Sequence, residues 1–306
     1  MTTYARVAAV TGANKGIGLA IVRNLALQYP GSALNTGPLL IYLTARDTSR
    51  GQAALDALHQ DAQLLKAKVL SAQGGPVSLT FHQLDISSPT SIDAFASFLA
   101  HTHSQIDIVI NNAGIALDGF NATVAHRTLA TNYHGTLHAT LTLLPLLRPS
   151  PLSRLINLAS TAGTLSAYPP PLRARFRAAA APPNAPTAHA ATAPTTALMQ
   201  DFAAAVAAGQ HAARGWPGSA YAVSKAGVIG ATAAVGAWEG AAAEREGRAA
   251  RGVWSCCPGW VATEMTKGRG ARGVDEGAGV AVGLAVGEEG RGGRGGFWEG
   301  GGVGEW

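Results

Sequence analysis

The stretch Ala5-Arg6-Val7-Ala8-Ala9-Val10-Thr11-Gly12-Ala13-Asn14-Lys15-Gly16-Ile17-Gly18 decides the fold. Residues 5–10 form a short apolar run suited to a buried strand, and residues 19–29 continue with apolar positions at helical spacing. Three glycines stand between them. Gly12 permits a tight turn, Gly16 lets the backbone approach a pyrophosphate, and Gly18 leaves room for the helix to pack on the strand. A helix starting here aims free N–H groups at an anion, so Gly12, Asn14, Lys15, Gly16, Ile17 and Gly18 are candidates for holding a dinucleotide.

Outward from this turn, strand patterns recur at 39–44, 77–84, 106–110, 155–158 and 252–256, with helical patterns at 49–70, 91–101, 124–147 and 220–248 between them. Such alternation predicts an α/β fold: a doubly wound, mostly parallel sheet with helices on both faces, right-handed crossovers, and its ligand beyond the carboxyl ends of the strands. With 306 residues, 47% of them apolar, the chain can bury one large core, and a single domain over 1–306 accounts for it. Only 13% of residues are charged, about half the usual share of about 25%. No apolar run approaches the about 20 residues that span a bilayer, and the start lacks the apolar core of a signal peptide, so the expected compartment is the cytosol and no membrane partner is expected. The two cysteines, Cys256 and Cys257, are strand neighbours pointing to opposite faces, which argues against a disulfide. The nine histidines show no metal-ligand spacing, so no metal is expected.

A second constellation lies far along the chain. Tyr221-Ala222-Val223-Ser224-Lys225 places a phenol and an ammonium four residues apart, on one face of a helix. A fixed positive charge beside a tyrosine favours the phenolate and lowers its pKa, and such a pair suits proton transfer near neutral pH.

Taken together, Gly12, Gly16 and Gly18, the run Asn111-Asn112-Ala113-Gly114, Ser160 ahead of Tyr221 and Lys225, and Pro258-Gly259 before Thr263 resemble the short-chain dehydrogenases/reductases, in that family's order. Leu43-Thr44-Ala45-Arg46-Asp47, Gly215-Trp216-Pro217 and Cys256-Cys257-Pro258-Gly259-Trp260-Val261 look like its monomeric NADPH-dependent carbonyl reductases. This resemblance implies a Rossmann-type domain. It also implies Tyr221 as proton donor, Lys225 as the group that lowers its pKa and binds the nicotinamide ribose, Ser160 on the substrate oxygen, and Asn132 holding a water that links Lys225 to solvent. Asp85 and Ile86 would hold the adenine, Asn112, Ala113 and Gly114 would line the cofactor channel, and Val261 and Thr263 would meet the nicotinamide carboxamide. The second strand ends in Arg46 rather than an acidic residue, which favours NADP over NAD, with Lys15 over the same phosphate.

The long stretch between Ser160 and Tyr221 matches the subgroup's helical insertion, about 164–218, with helical pieces at 172–177 and 198–202. Between these, residues 178–196 are a low-complexity run of alanine, proline and threonine expected to be a loop. An insertion here would cover the surface through which many relatives form tetramers, so a monomer is expected. Its apolar residues and Trp260 would form a pocket for bulky carbonyl compounds. The glycine-rich lobe at 268–306 should be weak, because each of Gly277, Gly279 and Gly283 costs a helix up to about 1 kcal/mol. The expected activity is NADPH-dependent reduction of ketones, aldehydes or quinones. Alternatives are alcohol or steroid oxidation, an NADP-binding protein without turnover, or an RNA-binding scaffold using Arg291-Gly292-Gly293-Arg294, although no nucleic-acid partner is expected.

Overall fold

β1 (Arg6–Val10) and β2 (Leu39–Ala45) are buried at every position, as strands covered on both faces must be. Their side chains divide by parity. Ala8, Val10, Leu39, Ile41 and Leu43 enter one apolar cluster, whereas Val7, Ala9, Leu40 and Tyr42 enter another on the opposite face. The computed structural model describes residues 4–181, 184–287 and 295–306.

In chain order, α1 (Gly16–Gln28) connects β1 to β2; α2 (Thr48–His59) and α3 (Ala62–Ala67) lead to β3 (Val77–Gln83); α4 (Pro89–His103) leads to β4 (Ile108–Asn111). Then come α5 (Ala122–Thr128), a π-helical stretch Leu129–Gly135, α6 (Thr136–Leu143) and β5 (Arg154–Leu158). Three helices, α7 (Pro170–Ala180), α8 (Ala188–Ala207) and α9 (Ala220–Arg245), precede β6 (Gly252–Cys256), and α10 (Val274–Val286), β7 (Phe297–Glu299) and β8 (Gly302–Val303) follow it. The sheet order is β3-β2-β1-β4-β5-β6-β7-β8, parallel through β7 with β8 antiparallel. The doubly wound sheet expected from the sequence is therefore the fold. Strand order reverses between β1 and β4, which opens a crevice at their carboxyl ends.

Several boundaries differ from expectation for identifiable reasons. The helix expected over 49–70 is two, because Asp61 starts a new one by accepting hydrogen bonds from Gln63 N and Leu64 N at 2.9 and 3.2 Å. The strand expected from residue 106 begins at Ile108: Ile106 bridges Leu147, and buried Asp107 holds Arg6 Nη1 at 2.8 Å and Val7 N at 2.9 Å. One apolar run does reach membrane-spanning length. A window of α9 has a mean hydropathy of 1.2, but 78% of it is buried inside the protein, so this apolarity serves the core.

The stretch 178–196 is mostly helix rather than loop. Thr187 caps α8 by accepting from Ala190 N at 3.1 Å, alanine is the best helix former, and Ala191, Thr195, Leu198, Met199 and Phe202 fall on one buried face. Composition hid that periodicity. The insertion builds its own core, with Phe176 and Phe202 centred 5.9 and 5.4 Å from Trp216. The glycine-rich lobe is held by side chains as well as by the pairing of β7 with β6: Arg23 of α1 donates to Asp275 of α10 at 2.5 Å, and Trp306 Nε1 donates to Gly163 O at 3.1 Å. The run Arg291–Arg294 lies outside the described residues.

Candidate active site

The glycine turn is a scaffolded structure. Thr11 N donates to Ile110 O at 3.0 Å and Ala13 N to Thr44 O at 2.8 Å, which ties the turn to β4 and β2. From the other side, Asn112 Nδ2 donates to Thr11 O and Gly12 O at 2.9 and 3.0 Å. Gly12 has φ +62°, and a Cβ there would stand 2.8 Å from Ala113 Cα. Only glycine fits. At α1, Lys15 in the N-cap position gives no side-chain cap and the first turn holds no acid, so the opening N–H groups stay available to an anion. A dinucleotide's phosphates suit this cradle.

The catalytic candidates meet at the carboxyl ends of β4 and β5. Asn132 is fully buried in the π-helical stretch, a local widening that recurs at functional sites. Its Oδ1 accepts from Ile115 N at 2.7 Å, and its Nδ2 donates to Ile115 O at 2.8 Å and to Ser224 Oγ at 3.2 Å. That clamps the loop after β4 against α9. Lys225 Nζ donates to Leu158 O at 2.8 Å and lies 5.7 Å from the Tyr221 ring centroid. A Cβ on Gly114 would stand 3.2 Å from Asn132 Oδ1 and 3.7 Å from Lys225 Nζ, so Gly114 gives these two groups their space.

Ser160 lies close enough to Tyr221 to act on its titration. Burial pushes the Tyr221 phenol up, Ser160 opposes this, and the neighbouring Cys257 adds to it. The net shift is thus upward rather than the lowering expected from Lys225, and the phenol stays protonated at neutral pH. Burial also pulls Lys225 down, to about 8, which still leaves the ammonium charged near neutrality. Ser160 caps the short turn after β5, accepting from Ala162 N at 3.1 Å. That turn lies flat on α9, because a Cβ on Gly163 would stand 2.5 Å from Ala226 N.

The sequence profile described as short chain dehydrogenase matches residues 6–171. A rat protein named carbonyl reductase [NADPH] 3 is 36% identical over 294 residues, covering 94% of this chain and 92% of the rat protein. The chain belongs to the short-chain dehydrogenase family. The human carbonyl reductase [NADPH] 1 is 35% identical over 292 residues, covering 94% of this chain and 92% of the human one. Among solved structures, salutaridine reductase from Papaver somniferum superposes with a TM-score of 0.72 at 25% identity, covering 96% of this chain and 99% of that one. The NADPH-bound carbonyl reductase from chicken fatty liver shares the fold, with a TM-score of 0.60 at 21% identity, covering 99% of this chain and 100% of that one.

Other residues expected in this short-chain dehydrogenase's site take varied positions. Arg46 is exposed after β2 and makes no ion pair among the described residues, while Asp47 caps α2 by accepting from Arg50 N at 2.9 Å. Lys15 pairs with Glu264. Asp85 Oδ1 accepts from Ser87 N and Oγ at 2.9 and 2.7 Å, fixing the turn that carries buried Ile86. Val261 is buried against Gly277, where a Cβ would come within 2.5 Å of Val261 Cγ2. Thr263 borders the glycine turn, its Cγ2 3.6 Å from a Cβ built on Gly16.

The pocket expected between Trp260 and the insertion takes another form. Trp260 is 58% exposed and donates from Nε1 to Arg269 O at 2.7 Å, whereas Leu172, Phe176 and Phe202 are spent on the insertion's own core. No local motif signals the parts played by Gly163, Cys257 or Trp306. Cys257 Sγ accepts from Thr161 N and Gly259 N at 3.3 Å each, which joins the turn after Ser160 to the turn after β6.

Proposed function

We propose that this protein reduces ketone, aldehyde or quinone carbonyls to alcohols with NADPH, and that Tyr221 is the general acid. One observation carries this reading: a partly buried phenol, kept protonated, lies beside Ser160, which acts on its titration, and has the Lys225 ammonium 5.7 Å from its ring. The nicotinamide coenzyme, when bound, supplies the hydride. Negative charge then grows on the substrate oxygen. Ser160 donates a hydrogen bond to that oxygen, and Tyr221 passes it the phenolic proton. Lys225, held by Leu158 O, stabilises the phenolate left behind. Asn132 is a positioning residue, since its carboxamide is engaged by Ile115 and Ser224.

The choice of NADPH is supported by the two relatives named carbonyl reductase [NADPH] and by Arg46 and Lys15 at the end of β2 and in the glycine turn. Asn14 and Ile17 flank the phosphates, Asp85 and Ile86 the adenine, Asn112, Ala113 and Gly114 the channel, and Val261 and Thr263 the carboxamide. Trp260 and Met265, both exposed on the loop after β6, suit the rim of a site for bulky apolar carbonyls. Packing of α7 and α8 on α9 supports a monomer, which a stable tetramer in gel filtration would contradict.

The direct test is NADPH oxidation against a panel of carbonyl compounds that includes menadione. Turnover of a bulky apolar carbonyl, with NADPH preferred to NADH, is expected. Coenzyme binding with no turnover across the panel would overturn the reading.

A further inference from the structure

Glu264 occupies an unusual place. It sits on the loop after β6, yet its carboxylate reaches back to Lys15 in the glycine turn, and the neighbouring Thr263 borders Gly16 of the same turn. Lys15 holds the carboxyl of Glu264 below its usual range, and Arg50 in the first turn of α2 adds to this through its charge. Arg50 stands four positions beyond Arg46, the cation at the end of β2 that has no ion-pair partner among the described residues. Lys15 and Arg50 thus both act on Glu264 where β1 and β2 end, Arg46 follows β2 in the chain, and Asp47 pairs with Arg50 at 4.0 Å. The Glu264 side chain is 77% exposed, and it pairs with no other cation among the described residues, so it has no core to support.

We propose that Glu264 is an internal competitor for the coenzyme's 2′-phosphate, displaced from Lys15 when a 2′-phosphorylated nucleotide binds, and that it thereby sets how strongly NADP is preferred over NAD. This rests on the NADPH reading above. A phosphate monoester brings close to two negative charges and three acceptor oxygens, so it satisfies a cluster of cations better than one carboxylate does. The resident pair is solvent-exposed and so is cheap to break. A nucleotide without the 2′-phosphate leaves it closed. Lys267, three residues along, pairs with Asp118 at 3.0 Å, so release of Glu264 frees one of the ion pairs that tie this loop down.

The test is titration calorimetry with 2′,5′-ADP and 5′-AMP on the whole protein. Glu264→Gln should bind 2′,5′-ADP about two- to fivefold more tightly, the range set by an exposed ion pair, with 5′-AMP unchanged. High salt should shrink that gain. In a Lys15→Gln background the gain from Glu264→Gln should vanish, because the competition runs through Lys15. Unchanged or weaker 2′,5′-ADP binding in Glu264→Gln, or equal gains for both nucleotides, would overturn the proposal. The wild type separates the two ideas: no preference for 2′,5′-ADP sinks the NADPH reading, and with it this one. A clear preference without a gain in Glu264→Gln sinks only the competition.

Discussion

Two parts of this chain are rich in glycine, and the space around individual glycines differs between them. In the turn after β1, a Cβ on Gly18 would stand 2.5 Å from both Asn112 Nδ2 and Gly12 O, and one on Gly12 would meet Ala113. Each of these glycines is dictated by a neighbour. In the lobe after β6, Gly273, Gly279 and Gly302 have ordinary backbone angles, and a Cβ on any of them would meet nothing within 4 Å. Those glycines are tolerated, not required. Glycine content therefore says little about function until the space around each residue is known, since Gly51 against Phe81 and Gly252 against Trp254 are dictated by packing alone.

Gly270 and Gly277 of the same lobe are dictated like the turn glycines: a Cβ on Gly270 would stand 2.0 Å from Val261 C, and the missing Cβ of Gly277 is what lets α10 press on Val261. Three substitutions test the distinction. The largest effect belongs to Gly18→Ala, which forces the new methyl into backbone and should destabilise by about 1–3 kcal/mol in urea unfolding, with loss of nucleotide binding. A fully stable, nucleotide-binding Gly18→Ala protein would erase the contrast. Gly277→Ala should be milder, a net loss of about 1 kcal/mol, because overpacking against Val261 outweighs the helix-propensity gain. Smallest and opposite in sign, Gly279→Ala on the exposed face of α10 should stabilise by about 0.5–1 kcal/mol, read as a small rise in Tm. Destabilisation there would show that the lobe's glycines are needed after all.

The fold was legible because its signals are local. The apolar runs of β1 and β2, the glycine turn and the Tyr221 to Lys225 spacing each fit within a few residues, and the structure brings them to one crevice. Distant partners were not legible. Nothing near Lys15 announces Glu264, nothing near Gly163 announces Trp306, and the burial that decides the Tyr221 and Lys225 titrations is a property of the packed site. The stretch 178–196 misled in the other direction. Its alanine-rich composition suggested a loop, while Thr187 and a buried stripe from Ala191 to Phe202 made the part from Ala188 on a helix. The π-helical stretch around Asn132 was hidden as well, since an extra residue in one turn leaves the apolar pattern nearly intact.

The decisive variant is Tyr221→Phe, which removes one hydroxyl and keeps the ring beside Lys225. Its NADPH affinity, measured by fluorescence titration, should match the wild type, while kcat for a carbonyl that the wild type reduces should fall by about 10²–10⁴-fold, the contribution of a positioned general acid. Retained turnover with unchanged NADPH binding would contradict the role given to Tyr221.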